Sequence, residues 1–344
     1  SNTKESLYIP ATIFLGEATK GQGTVGTLQL QSLLLENTLN YQRIFNNKHS
    51  VNALLGYTIQ NSSQDLVRAA SQNYPTDQLG YNDLSFGTTY LAPASGVRSS
   101  KLASYLGRVN YSLNGRYLVT GTIRVDGSTR FGAGNKYGVF PSGSVAWRLI
   151  EEPFMQAVEN RVSDLKLRMS YGLTGNQEIG LYQSLPLLSN FATVFGNNLA
   201  MGIAPSNIAN PDLKWETTAQ FDVGIDLALW NNRVTLTADY YRKKTRDLLL
   251  NITLPLTSGY ASTLKNIGQV SNTGWELGVS TINVDKQVRW TTSFNLSGNR
   301  NKVLSLGDIT QFLSGSGMLQ LTNFNIVRVG EPVGSFFGQV NDGI

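Results

Sequence analysis

The feature that most constrains this chain is a strict alternation of apolar and polar residues, sustained over stretches of about 10 to 14 residues. From Leu165 the odd positions are Leu165, Leu167, Met169, Tyr171 and Leu173, while the even ones are Lys166, Arg168, Ser170, Gly172 and Thr174. Further on, Ala219, Phe221, Val223, Ile225, Leu227 and Leu229 oppose Thr218, Gln220, Asp222, Gly224, Asp226 and Ala228. The same pattern recurs around Val119–Val125, Leu236–Tyr240 and Trp290–Leu296. Side chains alternate across a strand, so each stretch reads as a strand with one apolar and one polar face.

The spacing predicts roughly ten strands, near 27–45, 49–62, 101–113, 116–126, 139–150, 163–174, 215–230, 233–248, 273–284 and 287–299, with one more allowed near 322–330. Short turns fall at Asn46-Asn47-Lys48, Asn114-Gly115, Asn231-Asn232 and Val284 to Lys286. Asn and Gly tolerate the positive φ of tight hairpin turns. Long connections are expected at 63–100, 126–138, 174–214, 248–272 and 300–321, and one helix at 151–162, with Pro153 early and acids in its first turn.

Alternating strands build soluble sandwiches as well as membrane barrels. Three features favour the barrel: the strands exceed the usual length of about 5–6 residues, short turns alternate with long loops, and aromatics sit near the ends of the apolar rows. Those aromatics are Tyr117, Trp147, Trp230, Tyr240, Trp275 and Trp290, placed as an interfacial girdle places them. No run of about 18 apolar residues encodes a membrane helix. The opening residues, SNTKESLYIP, lack the layout of a signal peptide.

Composition narrows the chemistry. Of 344 residues none is Cys and one is His, so thiolate or His-rich metal sites are excluded and His49 alone could serve a catalytic triad. No acid pair, nucleophile–base set or phosphate cradle can be assembled, and the expectation is a non-enzyme with no cofactor. The formal charge is +5, but its densest cluster, Arg242, Lys243, Lys244 and Arg246, is short. Nucleic acid is therefore not an expected partner.

Several strings bring a resemblance. YSLNGRYLVTGTIRVDGSTRFG (111–132), FPSGSVAWRLIEEPFM (140–155) and DLKLRMSYGLTGNQEIG (164–180) follow in order, and NPDLKWETTAQFDVGIDLALWNNRVTLTADYYRKKTRDLLL (210–250), NIGQVSNTGWEL (266–277) and VGEPVGSFFG (329–338) come after them. Together they resemble the SusC/RagA family, the TonB-dependent outer-membrane transporters of Bacteroidetes. The resemblance implies an all-β, antiparallel transmembrane β-barrel of roughly 22 strands, of which this chain is a central fragment of roughly 10–11. Residues 1–99 fit as early strands with a long loop, and 100–344 as central strands carrying the family strings. The family's signal, N-terminal extension, TonB-contact segment, plug and last strands are not recognisable here, and such a fragment is expected to leave open edges.

The resemblance also implies energised import of oligosaccharides or peptides across the outer membrane. A TonB complex acting through the N-terminal part and a SusD-like surface lipoprotein capping the loops would be the partners, with outer-membrane lipid around the wall. In such a barrel the polar rows face the lumen, which places Arg108, Arg124, Arg148, Lys166, Arg168, Asp222, Asp226 and Asp239 there. They either meet plug and substrate or pair with one another. Asn176 and Gln177 open a long loop and could bind ligand or fix that loop's own backbone. Tyr182, Phe191, Phe195 and Tyr260 could stack on ligand, pack the loops, or meet the lipoprotein. Asp126-Gly127-Ser128 with Arg130 reads as a strand-end turn, and His49 as a solvated turn residue. A passive porin and a surface adhesin or β-sandwich remain the alternatives.

Overall fold

The computed structural model describes residues 1–314 and 325–338. Its contacts divide the chain into two units, Ser1–Glu36 with Thr58–Ala103 and Asn37–Tyr57 with Ser104–Ile344.

The first unit holds β1 (Asn2–Ile9), the first part of β2 (Gln22–Phe45), the later part of β3 (His49–Gln72), β4 (Thr89–Tyr90) and the start of β5 (Ala94–Leu113). β1 pairs antiparallel with β2 over the whole of Asn2–Ile9, and β4 adds two rungs to the end of β3. A polar and aromatic centre organises it. Tyr8 and Tyr74 meet edge to face at 5.2 Å, buried Ser71 and Tyr74 share a 2.7 Å hydrogen bond, and Tyr8 donates to Asp77 at 2.6 Å.

The second unit begins with the remaining parts of β2, β3 and β5 and continues with β6 (Tyr117–Ser128), β7 (Tyr137–Arg148), β8 (Val162–Asn176), the hairpin β9 (Leu188–Phe195) and β10 (Asn198–Pro205), β11 (Glu216–Leu229), β12 (Val234–Thr253), β13 (Ser262–Asp285) and β14 (Arg289–Leu306). Short strands β15 (Gln311–Ser314), β16 (Asn325–Arg328) and β17 (Ser335–Phe336) form a small sheet of their own. The main sheet follows chain order, β5-β6-β7-β8-β11-β12-β13-β14, every neighbour antiparallel from β6 onward where the registers are given. The β9–β10 hairpin is set aside from that path.

Register fixes which residues share a face. Val145 lies opposite both Val119 and Met169, Met169 opposite Val223, and Val223 opposite Tyr240, which faces Trp275. A slip of one residue on any strand would exchange these faces. The apolar rows stay open: Val145 is 50% exposed, Met169 49% and Phe294 56%. Water-soluble proteins rarely expose contiguous apolar patches beyond a few hundred Å², whereas a lipid-facing wall requires one.

The short turns fall where Asn and Gly predicted them. Asn46 and Asn47 have φ of 50° and 53°, Asn114 and Gly115 53° and 67°, and Asn231 and Asn232 56° and 62°. The last short turn occupies 286–288, slightly past its predicted place.

Three expectations need correction. The helix at 151–162 is replaced by two 3-10 turns, Leu149–Glu151 and Pro153–Val158. Glu152 between them is extended at ψ 141°, as the residue before a proline prefers, and this interrupts any continuous helix. Several long connections are partly strand: β3 continues to Gln72, β5 starts at Ala94, β12 runs to Thr253, β13 starts at Ser262 and β14 reaches Leu306. These extensions do not alternate regularly: Leu248, Leu249 and Leu250 are consecutive, and Ser71, Thr263, Val303 and Leu306 are buried, so the period that revealed the rest is lost there. The strands β1, β9 and β10, with the short β4, β15 and β17, lie outside the expected set altogether. Of the stretch near 322–330, β16 covers Asn325–Arg328, and 322–324 lie outside the described residues.

Candidate functional site

The polar face of β6–β12 carries a ladder of charge-assisted contacts. Arg168 lies opposite Gly224, which lies opposite Asp239, and Lys166 lies opposite Asp226. Arg168 donates to both carboxylate oxygens of Asp226 at 2.9 and 2.8 Å and to Asp239 at 2.9 Å, while Lys166 reaches Asp226 at 2.7 Å. Gly224 leaves the room this requires, since a side chain there would run into Asp239 and Arg168. Two cations thus meet two carboxylates across three strands. The guanidinium fork matches a carboxylate in geometry as well as charge.

The other members of the predicted row are also engaged. Asp222 accepts from Gln220 at 2.9 Å and Ser170 at 3.3 Å. Arg124 pairs with Asp126 at 2.8 Å and donates to Ser104 at 3.1 Å. Arg108 donates to Thr122 at 3.3 Å, and Arg148 meets Glu151 at 3.0 Å and Asp164 at 3.8 Å. Between them lie shallow hollows lined by Thr120, Ser142, Ser144, Ser170, Gln220 and Asp222 and also by Tyr171 and Leu173, which offer hydroxyls, one amide and one carboxylate beside apolar surface.

At the short-turn end a carboxylate organises the aromatics. Buried Glu152 accepts from the Tyr117 hydroxyl at 2.7 Å and from the Trp147 indole at 2.9 Å, and Arg116 donates to its other oxygen at 3.0 Å. The tyrosine and tryptophan rings stack at 6.3 Å. The two ring donors, and then the Arg116 charge, hold the Glu152 carboxyl below the ordinary glutamate range. His49, read from sequence as solvated, is half-buried and shares a 2.8 Å hydrogen bond with Tyr111.

At the long-loop end the strings that carried the resemblance converge in space. Phe131, Leu213 and Trp215 are buried together with Phe140, Trp215 lying 5.1 Å from Phe131 and 5.4 Å from Phe140 by ring centres. The Trp215 indole donates to the Lys136 carbonyl at 2.9 Å. Gly132 packs so closely on Pro211 that no side chain fits there. Arg130 donates to the Ile179 carbonyl at 2.8 Å and the Gln177 carbonyl at 3.4 Å, and Ser184 donates to the Arg130 carbonyl at 3.4 Å. Asn266 receives the Lys214 N–H at 3.0 Å and donates to the Lys214 and Asp247 carbonyls at 2.8 and 2.9 Å. Segments from 128 to 266 are thereby tied in one knot.

The predicted loop residues are not brought together. Asn176 folds back to accept the Glu178 N–H at 3.0 Å, and Gln177 serves the knot through its carbonyl. Tyr182 has φ 65° and is half-buried. Phe191 and Phe195 are 61% and 81% exposed on the β9–β10 hairpin, and Tyr260 holds a local turn in which its N–H donates to Ser258 at 3.2 Å. Residues 185–187 and 206–207 clasp that hairpin: the Ser206 N–H donates to the Leu187 carbonyl at 2.8 Å, while Asn207 accepts the Leu187 N–H at 2.7 Å and donates to the Leu185 carbonyl at 3.0 Å. The signal for the knot was present in Trp215, a large ring set between Lys214 and Glu216, but no period marks it.

Residues 11–312 match the family model described as TonB dependent receptor-like, beta-barrel. The chain belongs to that family. TonB-dependent receptor P3 of Formosa agariphila is 37% identical over 346 residues, covering 100% of this chain and 34% of the relative. TonB-dependent receptor SusC of Bacteroides thetaiotaomicron is 39% identical over 225 residues, covering 63% of this chain and 22% of the relative. The RagAB peptide transporter superposes with a TM-score of 0.84 at 28% identity, covering 97% of this chain and 36% of that one. This TonB-dependent receptor barrel chain thus spans about a third of the relatives it matches. Its neighbours place it with SusC and RagA, receptors and transporters rather than enzymes.

Proposed function

We propose that this chain forms part of the barrel wall of a TonB-dependent importer in the outer membrane, the SusC-like channel of a complex with a SusD-like surface lipoprotein. The observation that carries this reading is the register-locked separation of faces in a chain of this family: apolar rows open on one side, a hydrogen-bonded and ion-paired polar wall on the other. On that reading Arg108, Arg124, Arg148, Lys166, Arg168, Asp222, Asp226 and Asp239 line the lumen. The pairing of Lys166 and Arg168 with Asp226 and Asp239, and the contacts of the other four with neighbouring side chains, favour a role as wall struts before ligand contacts. The hollows of Ser, Thr, Gln and Asp suit the hydroxyls of an oligosaccharide and the amides of a peptide. The exposed rings of Phe191 and Phe195 are the loop positions best suited to stack on substrate or meet the lipoprotein.

The test is uptake of labelled oligosaccharides and peptides by cells carrying or lacking the full-length gene, with and without functional TonB. Import that needs both supports the reading and names the substrate class. Accumulation that persists without TonB would make the wall a passive pore. A full-length protein that stays soluble without detergent would remove the barrel itself.

A further inference from the structure

We infer that the lipid-facing side of the sheet carries a binding site for the phosphate-bearing headgroup of an anionic membrane lipid, built from Arg242, Lys244 and Arg246 of β12 with Arg300 and Lys302 of β14. The inference rests on the membrane reading above.

Register places the five cations on one face. Tyr240 lies opposite Trp275 at the end of the apolar row. One row nearer the long connections, Arg242 lies opposite Thr273, and Thr273 opposite Arg300. In the next row Lys244 faces Ser271, which faces Lys302, and Arg246 follows opposite Gln269. These rows continue the face of Leu236, Ala238 and Tyr240, so the cations stand on the lipid side. β13 contributes only uncharged residues between two basic edges. Two strand spacings separate those edges by about 10 Å, the breadth of a phosphorylated headgroup.

All five side chains are exposed, and among the described residues none forms an ion pair or a side-chain hydrogen bond. The paired Tyr240 and Trp275 mark the level at which interfacial aromatics meet headgroups, and long connections mark the outer side of such barrels. Cations just beyond that level, with no acidic residue in their rows, attract lipid phosphate, and the two arginines can fork onto its oxygens. On the opposite face Lys166 and Arg168 are neutralised by Asp226 and Asp239. The cations of β12 and β14 are left for a ligand.

The experiment uses the full-length protein purified in nonionic detergent, stripped of lipid, and offered lipid A carrying phosphate, dephosphorylated lipid A, or inorganic phosphate. Retained lipid is read by native mass spectrometry. The wild type is expected to keep phosphorylated lipid A, and R242Q/K244Q/R300Q/K302Q to bind it at least about tenfold more weakly. A Lys-for-Arg and Arg-for-Lys variant of the same four positions, which keeps the charge and controls for folding, should retain it. Equal binding by the glutamine variant, or of dephosphorylated lipid A, overturns the site. Displacement by inorganic phosphate alone would make it a site for the free anion. A protein that partitions into detergent yet binds no lipid A sinks this inference while leaving the membrane reading intact.

Discussion

Arg168 and Asp226 form a two-pronged ion pair across β8 and β11, with Asp239 of β12 taking a third contact from the same guanidinium. One cation therefore staples three consecutive strands on the polar face. Asp226→Ala leaves Lys166 and Arg168 both short of a partner in a half-buried setting, and the expected loss is about 1–2 kcal/mol after allowance for solvent screening. Urea unfolding of the refolded full-length barrel, followed by tryptophan fluorescence, measures it. An unchanged midpoint would mean that water screens the ladder fully.

The knot should be far more sensitive than the hairpin beside it. Leu213→Ala opens a cavity in fully buried surroundings, at an expected cost of about 2–4 kcal/mol. Phe195→Ala touches a ring that stays exposed and should lie within about 0.5 kcal/mol of wild type. Limited proteolysis between 177 and 215 reports the difference as faster cleavage of the first variant alone. Cleavage at equal rates would deny that the knot holds the loops.

Gly132→Ala addresses backbone approach rather than apolar packing. The new methyl group meets the Pro211 carbonyl, which has no flexible end to yield, so the expected cost is about 1–3 kcal/mol. Pro211 and the neighbouring Leu213 would shift together. The Trp215 fluorescence maximum should move to longer wavelength as the ring gains water, and an unmoved maximum would contradict the close approach.

The two faces can be told apart with one pair of variants at adjacent positions. Met169→Lys puts a charge on the apolar row at an expected cost of about 2–4 kcal/mol in lipid. Ser170→Lys puts the same charge on the polar wall, beside Asp222, and should fold at wild-type yield. Folding efficiency into vesicles separates them, and equal yields would mean that the apolar row does not face lipid.

Acid should loosen the aromatic cluster at the short-turn end. The Glu152 carboxyl is held below its ordinary range in the folded state by Tyr117, Trp147 and Arg116. A lowered folded value means that its stabilisation is present above the unfolded pKa and is lost as pH falls through the folded one. Thermal midpoints taken from neutral pH downward should drop less steeply below the ordinary glutamate range for Glu152→Gln than for wild type. Parallel curves would show that the carboxylate titrates alike in both states.

Sequence legibility followed the solvent. Where β8, β11 and β12 separate lipid from water, Leu165–Leu173 and Ala219–Leu229 alternate without interruption, and the strand ends were foreseen within a few residues. Beyond that zone β3, β12 and β13 continue without regular alternation, with Leu248, Leu249 and Leu250 in sequence and Ser71 and Thr263 buried, so period alone does not reveal them. The expected helix at 151–162 failed because acids and an early proline also describe 3-10 turns. The proline's constraint on Glu152 decided between them.

The knot was legible as words and illegible as contacts. Phe131, Phe140, Leu213, Trp215 and Asn266 all lay in strings recognised in order, yet spacing along a chain does not state which loops meet. The Asn176 side chain closes an Asx turn on the Glu178 N–H, whereas Gln177 enters the knot only through its main-chain carbonyl, a contact that its side-chain type does not encode.

The clasp at Asn207 makes the β9–β10 hairpin a cassette. Its two ends are held to each other by Leu185, Leu187 and Ser206, so the sixteen residues of the two strands (8 in each) hang from a joint that closes on itself. Replacing the exposed residues of that arm transmits no change of register to β8 or β11. The barrel can therefore exchange what the arm displays while keeping its wall, and the two can diversify at different rates.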